Sequence, residues 1–284
     1  MPRISVLTPI YNTRPVHLCA MMESVLNQTF TDFEFIILNN SPENKELKNI
    51  VKSYKDPRIV YAENEKNMGI SASRNQLIEM ARGEYLAVCD HDDISAPQRF
   101  EKQSAFLDAH PAVGVIGCAV RWMTAKPYVS FYPKENMDIK KKLMHNCHLS
   151  HPGAMIKKSV LTRNNIRYEE QYSPAEDYML WCRLIEFTQF HGLQDILLEY
   201  RVHDSRASVL QAQRMHDAMQ EIRLYVRNKY PALYQDYLDD QQIFIRLLWY
   251  IPILKIRKDT GNVQAWLFNF IPVLKIKRRW RKKK

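Results

Sequence analysis

The sequence predicts an α/β fold, a mostly parallel sheet with helices on both faces, followed by a helical basic tail. Three observations predict it. Strand-like and helix-like segments alternate three times within the first ~90 residues, the pattern of βαβ units. Unusual polar residues cluster where the strand-like segments end, at Thr8 to Asn12, Asn39-Asn40 and Asp90 to Asp93. A parallel sheet binds its ligands at the carboxyl ends of its strands. Finally, the positive charge is confined to one end. The net charge is +10, yet residues 243–284 carry twelve Lys or Arg against the single acid Asp259, which leaves residues 1–242 at −1.

The first strand is Ile4 to Thr8, stopped by Pro9. Leu18, Met21, Met22, Val25 and Leu26 then follow the i, i+3, i+4, i+7, i+8 spacing of one helix face. Phe33 to Leu38, aromatic and β-branched, is the second strand. Ser41-Pro42 opens the second helix, with Leu47, Ile50, Val51 and Tyr54 on its face, and Ile59 to Ala62 is the third strand. A loop carrying Gly69 leads to a helix over Ser71 to Ala81, closed by Gly83, and Tyr85 to Cys89 is the fourth strand. Ser95 and Gln98 match a capping box, with Pro97 in the first turn of the next helix. Val113 to Val120 is the fifth strand. The second half is less regular: a helix over Glu176 to Phe187 with Trp181, Leu184 and Ile185 on one face, a strand over Ile196 to Val202 ended by His203, and a helix over Val209 to Asn228. The tail holds an internal repeat. Residues 243–258 align with 263–278, with Ile-Pro, Leu-Lys-Ile and a basic pair in register and Gly261 between the copies.

Composition excludes several classes. Hydrophobic residues at 46% and charged ones at 25% exclude a disordered chain. Seven glycines exclude collagen-like and glycine-loop architectures, and neither GxGxxG nor GxxxxGK[ST] occurs. A neutral body excludes a uniformly basic nucleic-acid-binding domain, and the tail has no nucleic-acid motif beyond its charge. The five cysteines are scattered without CxxC or zinc-like spacing, as free thiols in a reducing compartment would be. The apolar run at the N-terminus is too short for a signal peptide, and no stretch reaches 18 uncharged apolar residues.

Asp90, Asp92 and Asp93 follow a buried strand. Alternate carboxylates on an extended segment point to one side, so Asp90 and Asp92 share a ligand region suited to a hard divalent cation and substrate phosphates. An isolated DxDD reads more readily as a turn or cap; its place at a strand's carboxyl end favours the ligand. Glu176-Asp177 after Pro174 opens a helix, where acids complement the dipole whether or not they do chemistry.

These segments together resemble a known family. Ile4 to Asn12 is similar to the opening strand and loop of family-2 glycosyltransferases of the GT-A fold, and Ser24 to Phe30 to that family's S-hydrophobic-L-x-Q-[ST] segment. Asn67-Met68-Gly69 with Ser73-Arg74-Asn75 resembles its N-x-G…ARN loop, and Gly83 to Asp93 its G-[DE]-Y-hydrophobic-D-x-D-D strand. Glu176-Asp177 and Tyr200 to His203 fall where the family has its acidic base motif and a C-terminal histidine. The six motifs keep the family's order over about residues 3–208. One departure stands out: Asn39-Asn40 replaces a usual pair of aspartates that reads uracil, which leaves the base open, since an amide offers donors as well as acceptors.

The resemblance implies the following. Residues 1–208 form a GT-A catalytic domain, with 1–120 the nucleotide-binding half and 121–208 the acceptor half; 209–242 is a helical extension and 243–284 a repeated amphipathic tail. Thr8, Pro9, Tyr11, Asn39 and Asn40 line the nucleoside pocket; Asn67 and Arg74 approach the nucleotide, Arg74 near the ribose or diphosphate. Asp90 and Asp92 form the DxD pair, and Asp92, Asp90 and His203 hold a divalent cation, Mn or Mg. Asp177 is the general base with Glu176 beside it. The expected reaction is inverting transfer of a hexose or N-acetylhexosamine from a nucleotide-sugar, a UDP-sugar first, to a surface glycan or lipid-linked saccharide. A nucleotidyltransferase and a catalytically silent nucleotide-sugar- or lipid-binding module are the alternatives. Aromatic and basic residues of the tail suit an anionic membrane interface, which with the thiols predicts a cytoplasmic enzyme peripheral to the inner face of the cell membrane; packing of the tail on the body is the competing reading. The sequence leaves the oligomeric state open.

Overall fold

The computed structural model describes residues 1–203, 207–250, 255–259, 262–267 and 271–277. The chain divides into two units, Met1–Pro231 and Ala232–Lys284. In the first unit β1 (Ile4–Ile10), α1 (Pro15–Leu26), β2 (Phe33–Asn39), α2 (Lys45–Ser53), β3 (Ile59–Glu63), α3 (Ile70–Met80) and β4 (Tyr85–Val88) follow in turn. The four strands are parallel and lie in the order β3-β2-β1-β4.

The period-two alternation of a strand explains the layers. Ile4, Val6 and Ile10 of β1 and Phe35 and Ile37 of β2 join one buried cluster with Leu18 and Met22 of α1 and Leu47 and Val51 of α2. The intervening Leu7 borders a recess on the other side together with Leu77 of α3. Helices therefore cover both faces, and β1 is buried along its whole length. Its two polar residues, Ser5 and Thr8, are buried with the rest, and Ser5 Oγ donates to Glu34 at 2.6 Å.

The remaining elements of this unit are β5 (Ile94–Ser95), α4 (Arg99–Ala109), β6 (Val113–Met123), β7 (Tyr128–Ser130), α5 (Asn136–Leu143), β8 (Met155–Lys157), α6 (Lys158–Arg163), a 3-10 turn at Glu170–Tyr172, α7 (Glu176–Leu184), β9 (Gln189–Arg201), α8 (Ala207–Leu210) and α9 (Ala212–Lys229). The sheet continues β4-β8-β6-β9-β5, with β7 on β6. Strand β8 is antiparallel to both β4 and β6, and β9 is parallel to β6. Strands β1, β4, β6 and β9 thus end at the same edge of the sheet. Short antiparallel strands make the second half less regular than the first.

Several local expectations are corrected. Helix α2 begins at Lys45, not at Ser41-Pro42. The buried Ser41 hydroxyl instead accepts the backbone N–H of Asn12 at 2.8 Å, which ties the ends of β2 and β1 together. Gly83 does not close α3, which ends at a cap on Ala81. A Cβ at Gly83 would stand 2.5 Å from the backbone nitrogen of Ser5, so close chain approach at the entry to β4 is what demands glycine there. The capping box does not form: Ser95 lies in β5, and Gln98 caps α4 without a side-chain bond. Ser95 Oγ accepts instead from Arg99 at 3.0 Å. Arg99 is fully buried, and its guanidinium also donates to the carbonyls of Val88 at 2.7 Å and Ala154 at 3.1 Å, bracing the end of β4.

Of the chain beyond Pro231, α10 (Pro231–Tyr250) is helical, and β10 (Lys255–Asp259), β11 (Asn262–Leu267) and β12 (Ile271–Lys277) form an antiparallel sheet in that order. Among the described residues, the expected helical tail is helical to Tyr250 and consists of strands beyond it. Lys255-Ile256-Arg257 and Leu274-Lys275-Ile276-Lys277 alternate apolar and basic residues with period two, which suits strands, and Pro272 falls on an edge strand, where a missing N–H is tolerated. No helix of the described residues is long and apolar enough to cross a membrane.

Candidate active site

The ends of β1, β2 and β4, the first turn of α7 and the end of β9 supply the residues singled out in the sequence. Arg74 of α3 is the link between them. Its guanidinium pairs with Glu176 at the start of α7 and reaches Asp90, after β4, at 3.2 Å. It also lies 5.5 Å over the ring of Tyr168, whose hydroxyl is 2.7 Å from Nε2 of the buried His151. The two carboxylates hold the Arg74 guanidinium well above its ordinary pKa despite its burial. The Arg74 side chain is 11% exposed, and carboxylates on two sides occupy its fork.

Glu176 is buried; one oxygen takes Arg74 and Oε2 has no hydrogen-bond partner. Asp177 beside it accepts the backbone N–H of Tyr178 at 2.7 Å. Its carboxyl is half-buried by surface area but closely surrounded by protein. Burial, and then the negative charge of Glu176, push its pKa up to about 7, against the pull of Arg74. A carboxylate with that affinity is a proton acceptor matched to neutral pH.

The Asp90–Asp93 segment leaves β4 and is clamped from β9. Asp93 is buried and accepts the backbone N–H of Arg201 at 2.8 Å, and Arg201 Nε donates to the carbonyl of Asp92 at 2.9 Å. Burial and the neighbouring Asp90 and Asp92 hold Asp93 well above the usual carboxylate range. His203 Nε2 lies 2.6 Å from Asp92 Oδ2. Two of the three expected metal ligands therefore meet; the third, Asp90, turns to Arg74. Among the described residues no group of three His, Cys, Asp or Glu is disposed to hold a metal ion. A magnesium-like cation needs only one or two protein carboxylates when phosphates and water complete its shell, so the Asp92 carboxylate with the adjoining imidazole nitrogen fits such an ion.

The nucleoside-side residues divide into two sets. Tyr11 is exposed, and Pro9 borders the recess that Arg74 and Tyr168 share. Thr8 is fully buried, with an Oγ1 lacking a partner. The amides of Asn39 and Asn40 are engaged by protein. Asn39 Nδ2 donates to Tyr61 at 3.1 Å and its Oδ1 accepts the Ser41 N–H at 2.9 Å. Asn40 Nδ2 donates to Asn67 at 2.6 Å, and its Oδ1 accepts from Asn64 and from the Met68 N–H, each at 3.0 Å. Asn39 is buried in the sheet, and Asn40 and Asn67 fold the loop that enters α3. Gly69 ends that loop with a φ of 81°, a left-handed value that suits glycine.

Sequence reasoning missed Tyr168, Arg201 and Arg99. Arg201 carried a signal, as part of the Tyr200 to His203 segment; Tyr168 acts through a ring face, and Arg99 through bonds that include one to Ala154, 55 residues away, which no local pattern displays.

The chain matches the family model described as glycosyl transferase family 2 over residues 5–163. It is 33% identical over 224 residues to the uncharacterized glycosyltransferase MJ1057 of Methanocaldococcus jannaschii, covering 76% of this chain and 77% of that protein. It is 28% identical over 202 residues to the amylovoran biosynthesis glycosyltransferase AmsE of Erwinia amylovora, covering 69% of this chain and 75% of that protein. The crystal structure of S. aureus TarS 1-349 in complex with UDP-GlcNAc superposes with a TM-score of 0.67 at 18% identity, over 83% of this chain and 71% of that one. The fold is thereby that of the GT-A glycosyltransferases.

Proposed function

The chain belongs to glycosyl transferase family 2, and from that premise we propose that it is an inverting, metal-assisted enzyme that moves a hexose or N-acetylhexosamine from a nucleotide-sugar, a UDP-sugar first, to a hydroxyl of a glycan or lipid-linked saccharide. One observation carries the reading: Arg74 joins Glu176, next to a carboxylate of neutral pKa, to Asp90 at the end of β4. Glu176, the neighbour of the base, and Asp90 on the phosphate side are thus held on one fork. The UDP-GlcNAc bound to the similar TarS supports a UDP-sugar, and the relative in amylovoran biosynthesis supports a glycan acceptor.

In this mechanism Asp177 accepts the proton of the acceptor hydroxyl as that oxygen bonds the anomeric carbon. Arg74 keeps Glu176 and Asp90 in place and restrains the rise of the Asp177 pKa. Asp92 and His203 would hold a divalent cation, Mn or Mg, which supplies positive charge for the departing diphosphate. One displacement on the face opposite the leaving group inverts the anomeric centre, and no side-chain nucleophile is needed. Release of UDP from UDP-sugars, with Mn²⁺ present and absent, tests the assignment; lack of turnover with every nucleotide-sugar supplied would sink it.

Asp92→Asn is expected to weaken Mn²⁺-dependent UDP binding at least tenfold, because a neutral amide is a poor partner for a hard dication. His203→Ala is expected to weaken it less. Calorimetry with and without Mn²⁺ reads both, and unchanged affinity in the pair removes these residues from the metal site.

We also read residues 243–284, with their twelve basic groups, as the part that associates with an anionic membrane surface. Replacing Lys255, Arg257, Lys258, Lys275, Lys277, Arg278 and Arg279 by Gln is expected to abolish sedimentation with phosphatidylglycerol vesicles, as high salt does. Sedimentation of the variant at the wild-type level counts against a membrane role.

A further inference from the structure

The acceptor has so far only its base. The ends of β6 and β9 carry side chains that the reaction has not used. Trp122 stands in register with Tyr128 of β7 on one side and with Tyr200 of β9 on the other. Directly opposed residues share a face of a sheet, so three aromatic rings lie side by side. Trp122 and Tyr128 are nearly parallel, at 9° with centroids 5.7 Å apart; Trp122 and Tyr200 are 4.6 Å apart at 51°. The indole is fixed by its Nε1–H, which donates to Ser130 Oγ at 2.9 Å. Below the rings, Cys118, Val120 and Leu198 form a buried cluster on which Trp122 and Tyr200 pack. The outer end of the row is open: Tyr128 is 53% exposed.

Its position matters as much as its composition. Strands β6 and β9 run with β4, so their ends lie at the sheet edge where Asp90 follows β4. Arg201, the next residue after Tyr200, gives its N–H to Asp93 at 2.8 Å. The row therefore runs from solvent to the carboxylate segment. A rigid row of rings, anchored below and exposed at one end, is costly to leave bare and offers flat π faces of one kind.

We propose that Tyr128, Trp122 and Tyr200 form a stacking platform for a pyranose ring of the acceptor saccharide; the proposal rests on the glycosyl-transfer reading above. The C–H bonds on the less polar side of a pyranose meet the aromatic faces, while the ring hydroxyls stay in water or hydrogen-bond at the edge. Stacking of this kind tolerates different sugars and directs the chain of an oligosaccharide toward Asp177.

Saturation-transfer NMR on the full chain with UDP and Mn²⁺ tests it, using methyl and octyl β-glucosides and N,N′-diacetylchitobiose as probes. Saturation is expected on the pyranose C–H protons of all three. It is expected to fall about 2- to 10-fold in Tyr128→Ala and in Trp122→Leu, the range of an aromatic contact of ~0.5–1.5 kcal/mol, and to return in Tyr128→Phe. Thermal melts establish that each variant is folded. Saturation that is absent from the wild type, or unchanged in both truncating variants, overturns the platform. Saturation confined to the octyl chain also overturns it, in favour of a lipid occupant. Wild-type UDP binding, measured in the same samples, separates the two levels: its loss strikes the glycosyl-transfer reading itself, and the platform falls with it.

Discussion

Asp177→Asn is expected to cut turnover by ~10² or more, the scale of a lost general base, while leaving UDP affinity near wild type. The substitution is nearly isosteric and keeps an acceptor for the Tyr178 N–H. Two pH signatures make the test specific. In the wild type, kcat/KM is expected to fall tenfold per pH unit below about 7, because protonated Asp177 accepts nothing; in Asp177→Asn that limb disappears. The second signature is in stability. The folded protein holds the Asp177 proton up to about 7, whereas the unfolded chain releases it near 3.8, the ordinary value of an aspartate. Between those values the folded state binds more protons, so wild-type stability declines as pH rises through the window, and the full cost is present above it. Asp177→Asn is therefore expected to melt with the wild type near pH 3.5 and several degrees above it at pH 8. A variant that loses activity without gaining stability at high pH would remove the carboxylate from its buried, proton-holding environment.

Arg74→Met is expected to be the most damaging single change for stability. It leaves Glu176 buried with neither oxygen paired and places the charges of Asp90, Glu176 and Asp177 near one another without a cation. Breaking a buried pair by removing one partner costs ~3–5 kcal/mol, and urea unfolding at pH 7.5 measures it. Arg74→Lys restores charge but not the two-pronged reach, so it should recover only part of the loss. Activity that survives in Arg74→Lys should show its acid limb moved to higher pH, because Arg74 holds the Asp177 pKa down. Arg74→Met, Glu176→Gln and their combination close a double-mutant cycle: the combined variant is expected to be more stable than Arg74→Met, since it no longer buries the unpaired charge of Glu176.

The parallel half of the fold was legible because its signals are local. Leu18, Met21, Met22 and Val25 repeat at helical spacing, and all four are buried in α1. The mainly apolar β1 and β2 are buried throughout, although the buried Glu34 of β2, paired with Ser5 and Arg82, is a polar exception that no apolar pattern announces. Strands β5, β7 and β8 span two or three residues each, too few for any period to register. Ser95 shows how a correct motif can mislead: the spacing to Gln98 is that of a capping box, but a buried arginine four residues on and a strand partner in β9 claim the serine first. At the site, the carboxylates and the histidine could be named from sequence, and Asp92 and His203 do meet. What those groups do to each other could not. Arg74 reads from its motif as a residue approaching the nucleotide, and its bond to Glu176, 102 residues on, shows only when α7 is in place.

That clamp on the Asp90–Asp93 segment also sets a schedule for making the enzyme. Its two ties from β9 and beyond, Arg201 to Asp93 and His203 to Asp92, cross 108 and 111 residues of chain. On a ribosome working at ~5–20 residues per second, the acidic segment emerges about 5–20 s before its partners exist. For that interval Arg74, already made, can pair with Asp90, but Asp92 and Asp93 lack their partners from β9 and beyond. Long-range closure of this kind is slow to reward the chain for forming it. A polypeptide released before Arg201 and His203 are made therefore lacks both ties that hold Asp93 and Asp92.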